Sequence, residues 1–238
     1  MKHRHAVLRA EGLWKTYIRR RDGKKEPFHC LQGTDFALRE GEISALMGRS
    51  GSGKSTLARC LAFLDLPDRG VISFRGHAVD PSLPNLLRSM RRKTQLVFQD
   101  PARSVNPYFS VRDALEEPLL AGGLSRFEME ERCVELLDQV RLPASILSEK
   151  ARRLSGGQAQ RLALARALAV EPEVLILDES FSGLDLSLQA HWVNLVLELV
   201  SRRALSCLLI THDEDLARQV AGCRFRMVDG KVLAEDDL

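Results

Sequence analysis

The chain has 238 residues, and 35 Lys and Arg stand against 32 Asp and Glu for a net charge of +3. That balance is too small to argue for a nucleic-acid partner. No apolar run approaches the ~18 residues of a membrane span, so the chain reads as one large globular domain, 1–238.

Met1-Lys-His-Arg-His5 is charged, and no apolar signal core follows it. Residues 6–42 alternate apolar and polar, which predicts two or three strands ending at the turn Arg39-Glu-Gly41. Inside this stretch Asp22-Gly23 reads as a hairpin turn within the solvated charge run Arg19 to Lys25. Ile43 to Met47 predicts a buried strand and Thr56 to Phe63 a helix. Val71 to Phe74 is a short strand, Ser82 to Arg91 a short helix and Gln95 to Phe98 another strand. Val111 to Leu120 and Phe127 to Val140 are amphipathic, with no strand between them, so a helical insert spans about 100–154. Helix and strand then alternate, as a parallel sheet requires, and Gly222 to Val232 closes with two short strands. Five cysteines are scattered without a C-x-x-C pair, which suits a reducing compartment.

Gly48-Arg-Ser-Gly-Ser-Gly-Lys-Ser55 fits the phosphate-cradle pattern G-x-x-x-x-G-K-[ST] between that strand and that helix. A chance Gly/Ser loop shows the composition but not these flanks. The glycines let several N–H groups converge on phosphate oxygens, and the helix N-terminus adds positive potential. Lys54 reaches the β- and γ-phosphates and Ser55 holds Mg²⁺. A second anion site opens the run after Leu154-Ser-Gly-Gly-Gln158, where Ser155, Gly156 and Gly157 stand at a helix N-terminus. Read alone, that tripeptide is an ordinary helix cap. Val174 to Leu177 reads as a buried parallel strand, and Asp178 and Glu179 at its C-terminal end lie where such sheets bind ligands. Cys207 to Ile210 predicts a further strand, with His212 just beyond it.

In this order the motifs resemble the ATP-binding subunits of ABC transporters, over nearly the whole chain. The implied fold is an α/β P-loop NTPase with an N-terminal antiparallel β subdomain, a parallel-sheet core and the helical insert. Gly48, Arg49, Ser50, Gly51, Ser52, Gly53, Lys54, Ser55 and Thr56 match the family's phosphate loop. Asp178 resembles the Walker B aspartate that orders Mg²⁺, and Glu179 the general base beside it. Gln99 is similar to the Q-loop glutamine that ligates Mg²⁺ and orients water, and His212 to the switch histidine. Asp185, in Ser182-Gly-Leu-Asp185, resembles the D-loop aspartate. Tyr17 resembles the aromatic that stacks on adenine, with Trp14 a competitor for that role.

The resemblance implies that Ser155, Gly156, Gly157 and Gln158 of a second subunit cap the γ-phosphate, so that two subunits sandwich two ATP molecules. Homodimer and heterodimer both stay open. Gln99-Asp-Pro-Ala-Arg-Ser-Val-Asn-Pro-Tyr108 is similar to the Q-D-P-x-x-S-x-N-P run of peptide and nickel importers. It implies a peripheral protein at the cytoplasmic face of the cell membrane, working with membrane permease subunits and indirectly with a solute-binding protein. The cargo class implied is a peptide, nickel or a metal chelate. Two departures stand out: Ser180-Phe181 replaces the usual Pro-Thr, and Gly183 the commoner alanine. Ending at Leu238 so soon after the last strand leads us to expect no regulatory domain.

The rival reading is a non-transport member acting in DNA repair or translation. Repair ATPases need a heptad-bearing coiled coil between the two anion loops, and the stretch from Ser55 to Leu154 carries none. Translation factors carry two cassettes, and a single phosphate loop is present.

Overall fold

A computed structural model describes residues 5–21, 24–98, 100, 105–120, 124–179, 186–203 and 205–234. The N-terminal alternation resolves into two long strands, β1 (Ala6–Arg21) and β2 (Lys24–Arg39). They pair antiparallel, with register shifts at several points. These bulges bend and twist the ribbon. β4 (Arg69–Phe74) pairs with β1, and the two-residue β5 (His77–Ala78) adds an edge that no periodicity announced. The proposed turn at Asp22-Gly23 lies outside the described residues.

The second sheet holds the chemistry. Its strand order is β10 (Lys231–Ala234), β9 (Cys223–Val228), β3 (Ile43–Met47), β8 (Ser206–Ile210), β7 (Val174–Asp178) and β6 (Thr94–Val97). All neighbouring pairs are parallel except β9 with β10. Every residue of β7 and β8 is buried, as two covered faces demand. Alternate side chains divide between two cores. Leu175, Leu177, Cys207 and Leu209 pack in the cluster that includes the helical segment, and Val174, Ile176, Leu208 and Ile210 in the cluster under β1 and β2.

Helix α1 (Lys54–Leu61) follows β3, and its Leu57, Ala58, Cys60 and Leu61 enter the second cluster. Helix α2 (Pro84–Lys93) begins two residues later than the sequence predicts. Asp80 Oδ1 accepts from the Ser82 N–H at 2.8 Å and holds that residue in a turn. Pro84 then starts the helix, its fixed φ and missing N–H being tolerated in the first turn. Helices α3 (Val111–Leu120) and α4 (Arg126–Gln139), with two short 3-10 turns, form the helical segment before α5 (Gly156–Leu168). Helix α6 (Leu186–Arg203) separates β7 from β8, and α7 (Glu214–Val220) separates β8 from β9.

Candidate active site

β3, β8 and β7 end together, because Leu46 pairs with Ile210 and Ile210 with Asp178. The Glu179 N–H donates to Ile210 O at 3.0 Å and the Thr211 N–H to Leu46 O at 3.3 Å, which extends the alignment past the strand ends. The phosphate loop, Asp178, Glu179 and the residues leading to His212 therefore share one edge of the sheet. That edge is the carboxyl end of parallel strands, where open α/β sheets bind ligands.

The loop's glycines are forced by packing as well as by curvature. Gly48, Gly51 and Gly53 have φ of 150°, 79° and 112°. A Cβ on Gly48 would collide with Met227 O, and one on Gly53 would lie 2.5 Å from Cys30 O. The loop is thus pressed between β2 and β9. The Gly230 N–H, from the turn after β9, donates to Ser52 O at 3.0 Å and pins the loop from behind. Arg49, Ser50 and Gly51 remain exposed.

Lys54 is only 6% exposed, and its Nζ donates to Gly48 O at 2.8 Å and Arg49 O at 3.0 Å. Its ammonium is held across the loop, where an anion offers a better acceptor than neutral carbonyls. Among the described residues five buried side-chain polar atoms have no hydrogen-bond partner, and two of them lie here, Ser52 Oγ in the loop and Asp178 Oδ1 at the end of β7. Orphaned buried polar atoms in a native fold point to an ion or ligand that completes them. Burial pushes the Asp178 carboxyl above its ordinary value; the Ser55 hydroxyl bonded to it pulls the other way, Glu179 adds to the rise, and Lys54 opposes it. Lys54, Ser55, Asp178 and Glu179 are therefore one electrostatic cluster.

Glu179 is half-buried, with φ 47°, a left-handed conformation that glutamate rarely adopts. Such strain persists where surrounding structure imposes it and clusters at functional sites. No sequence signal marked this. His212 is exposed two residues beyond β8.

Ser155 caps α5 in a reciprocal box: its Oγ accepts from the Gln158 N–H at 3.3 Å, and Gln158 Oε1 accepts from the Ser155 N–H at 2.9 Å. The Gln158 side chain is thereby committed to the cap. Ser155 and Gly156 are exposed. Among the described residues no hydrogen bond or ion pair joins Ser155–Gln158 to the phosphate loop of the same chain. The helix-cap reading and the anion-site reading thus describe the same tip.

Tyr17 is half-buried in β1, and its hydroxyl donates to Asp65 Oδ2 at 2.6 Å. Trp14 is 41% exposed and packs on Gly33, where a Cβ would lie 3.5 Å from the indole nitrogen. Gln99, Asp185, Ser180, Phe181 and Gly183 lie outside the described residues. Replacing Lys54 by Ala is expected to weaken ATP binding at least tenfold, because a charge-assisted contact to phosphate is lost. Calorimetric titration checks this, and unchanged affinity would remove Lys54 from the cradle.

A strand, a glycine loop pinned from behind and a helix bearing a buried lysine, beside an aspartate with one buried oxygen left unpaired, define a P-loop nucleoside triphosphatase. Comparisons with known proteins narrow this. The model of the family described as "ABC transporter" matches residues 31–182. The nickel import ATP-binding protein NikE of Escherichia coli is 43% identical over 212 residues, covering 89% of this chain and 79% of that protein. NikE of Shigella boydii is 42% identical over 212 residues, with the same coverage of each. Among solved structures, cbiO1 of Clostridium perfringens, part of the ABC transporter complex cbiONQ, superposes with a TM-score of 0.82 at 28% identity, covering 96% of this chain and 87% of its own. The dimeric, post-hydrolysis ATP-binding cassette MJ0796, bound to ADP and Pi, gives 0.83 at 28% identity, covering 96% and 97%. The chain belongs to the ABC transporter family, as the ATPase subunit of an importer. Among the described residues no helix is long and apolar enough to cross a membrane.

Proposed function

We propose that this cassette hydrolyses ATP in a two-subunit sandwich and so drives import of nickel, free or chelated, through separate membrane permease subunits. The observation that carries the ATPase half is the pinned loop with buried Lys54 beside the orphaned Asp178 Oδ1. The cargo half rests on the likeness to NikE over 89% of the chain. Peptides remain the competing cargo, because the Gln99-to-Tyr108 run is shared by peptide and nickel importers.

In this reading the amides of Gly48 to Ser55 and the Lys54 ammonium bind the β- and γ-phosphates. Ser55 and Asp178 offer hard oxygen donors side by side, one of them buried and unpartnered, which fits Mg²⁺. Bound there with the nucleotide, Mg²⁺ neutralises charge developing on the phosphates. Glu179 accepts a proton from the attacking water as the water's oxygen attacks the γ-phosphorus. His212 and Gln99 orient that water and the γ-phosphate. Ser155, Gly156 and Gly157 of the second subunit close the cage: the Ser155 Oγ accepts its cap bond and still has its own hydrogen to donate. Asp185 lies at the same interface. Closure excludes water and strengthens every contact inside. Hydrolysis removes the γ-phosphate and, with it, what holds the two subunits together. The cassette works on the cytoplasmic face of the cell membrane, with a solute-binding protein delivering cargo from the other side.

The test is radioactive nickel uptake by cells in which the gene is deleted and then restored. Uptake should fall on deletion, return with the native gene and not return with Glu179→Gln. Nickel uptake that survives deletion while peptide uptake is lost would assign the cargo to peptides.

A further inference from the structure

The loop that follows α1 is bolted to β1 by contacts that converge on Tyr17. The Tyr17 hydroxyl donates to Asp65 Oδ2 at 2.6 Å, and Arg59 Nε stands 3.1 Å from the same oxygen. Asp65 is itself tied to the end of α1, since its N–H donates to Arg59 O at 3.2 Å. Two residues before Tyr17, Lys15 Nζ donates to Leu66 O at 2.6 Å, reaches Asp68 Oδ1 at 3.4 Å and sits 5.5 Å from the centroid of the Tyr17 ring. Asp68 Oδ2 accepts from the Thr16 N–H at 2.7 Å, and the Asp68 N–H donates to Trp14 O at 2.7 Å. Residues 14–17 are thus fastened to residues 65–68 by backbone and side chain alike. Burial and the Asp65 carboxylate push the Tyr17 hydroxyl well above its ordinary pKa, so it stays a proton donor.

The helix that begins with Lys54 therefore carries Arg59 in its last turn, bonded to the Asp65 carboxylate that holds Tyr17. Its eight residues place roughly 12 Å of helix between the phosphate cradle and the loop that carries Asp65. Lys15 lies over one face of the ring. Among the described residues Trp14 has no comparable tie through its indole to α1; it rests on Gly33.

We infer that Asp65, braced by Arg59, is a positioning residue for base recognition: it fixes the Tyr17 ring at a set distance from the phosphate loop. This rests on the reading of Tyr17 as the base-stacking residue. A ring held in place before the nucleotide arrives loses less freedom on binding, which is how preorganisation raises affinity. The contribution is specific to the base, because nothing in the network touches the phosphate loop's own amides or the Lys54 ammonium.

The test measures affinity for ATP and for inorganic tripolyphosphate in wild type, Tyr17→Ala, Tyr17→Phe, Asp65→Ala, Asp65→Asn and the Tyr17→Phe/Asp65→Ala double variant. Asp65→Ala and Tyr17→Phe should each weaken ATP binding about fivefold, and together they should cost no more than either alone. Asp65→Asn keeps an acceptor for the hydroxyl and should bind ATP close to wild type. Tripolyphosphate affinity should be the same throughout. If Tyr17→Ala weakens ATP binding and Asp65→Ala does not, the Tyr17 reading stands and the positioning role is refuted. If Tyr17→Ala has no effect on ATP, the Tyr17 reading itself fails. Equal loss of ATP and tripolyphosphate in Asp65→Ala would overturn the inference in another way, by making Asp65 a support of α1 and not of the ring.

Discussion

Glu179→Gln is expected to slow ATP turnover by about 10²–10⁴-fold, the usual worth of a positioned general base. The substitution keeps size and backbone demands, so the left-handed φ of 47° and the bond from its N–H to Ile210 O should survive. What it removes is the carboxylate that takes the proton from water. Nucleotide binding depends on the loop and Lys54, and should stay near wild type. The variant should therefore accumulate in the ATP-bound, paired state. Phosphate release in steady state, together with nucleotide content after gel filtration, checks both halves. Turnover near the wild-type rate would assign the base elsewhere, and His212 would be the next candidate.

Ser155→Arg should abolish turnover by at least about a hundredfold, in line with loss of a donor to developing phosphate charge. Affinity for ATP measured on the dilute single subunit should not change. The physical reason is separation: Ser155 is exposed at the tip of α5 and makes its recorded bonds within its own cap. Losing that cap costs the helix about 1 kcal/mol, too little to unfold a domain of this size. A bulky side chain at the tip blocks the approach of a second subunit and leaves the phosphate loop untouched. Titration of ATP into dilute protein and turnover across protein concentrations separate the two effects. A parallel loss of monomer affinity would place the tip against the chain's own nucleotide.

The phosphate loop was legible because its pattern is local: eight consecutive residues carry both the curvature and the charge. Even there, part of the reason lay out of reach. The sequence shows glycines at 48 and 53, but only the fold shows that Met227 and Cys30 leave no room for a side chain. The buried strand ending in Asp178 was readable from four apolar residues in a row. The alignment of that strand with β3 and β8 depends on pairing between segments far apart in sequence, which the resemblance supplied and periodicity did not. The backbone of Glu179 was not legible at all, since left-handed φ at a non-glycine has no compositional mark. Gln158 was expected among the nucleotide contacts, and its side chain turns out to close the cap of α5.

The Tyr17 network shows the same limit from another side. The sequence marks Tyr17 as an aromatic ahead of the loop, whereas no motif or pattern marks Asp65 or Lys15. Their importance is in distances of 2.6 Å that sequence spacing does not encode. A comparable junction lies at the far end of the sheet. Arg75 bonds Glu40 at 2.8 Å and Glu173 at 2.6 Å, and Lys93 bonds Glu173 at 3.0 Å, which joins the antiparallel sheet to the base of β7. All of these groups are solvent-accessible, so the network's worth is mainly geometric.

Small-angle scattering on Glu179→Gln, with and without ATP, tests the sandwich most directly. The account predicts single subunits without nucleotide and a particle of twice the mass with saturating ATP, which Ser155→Arg in the same background prevents. Single subunits at saturating ATP, alone and also when mixed with a related cassette, or a pair that forms equally well with Ser155→Arg, would contradict it.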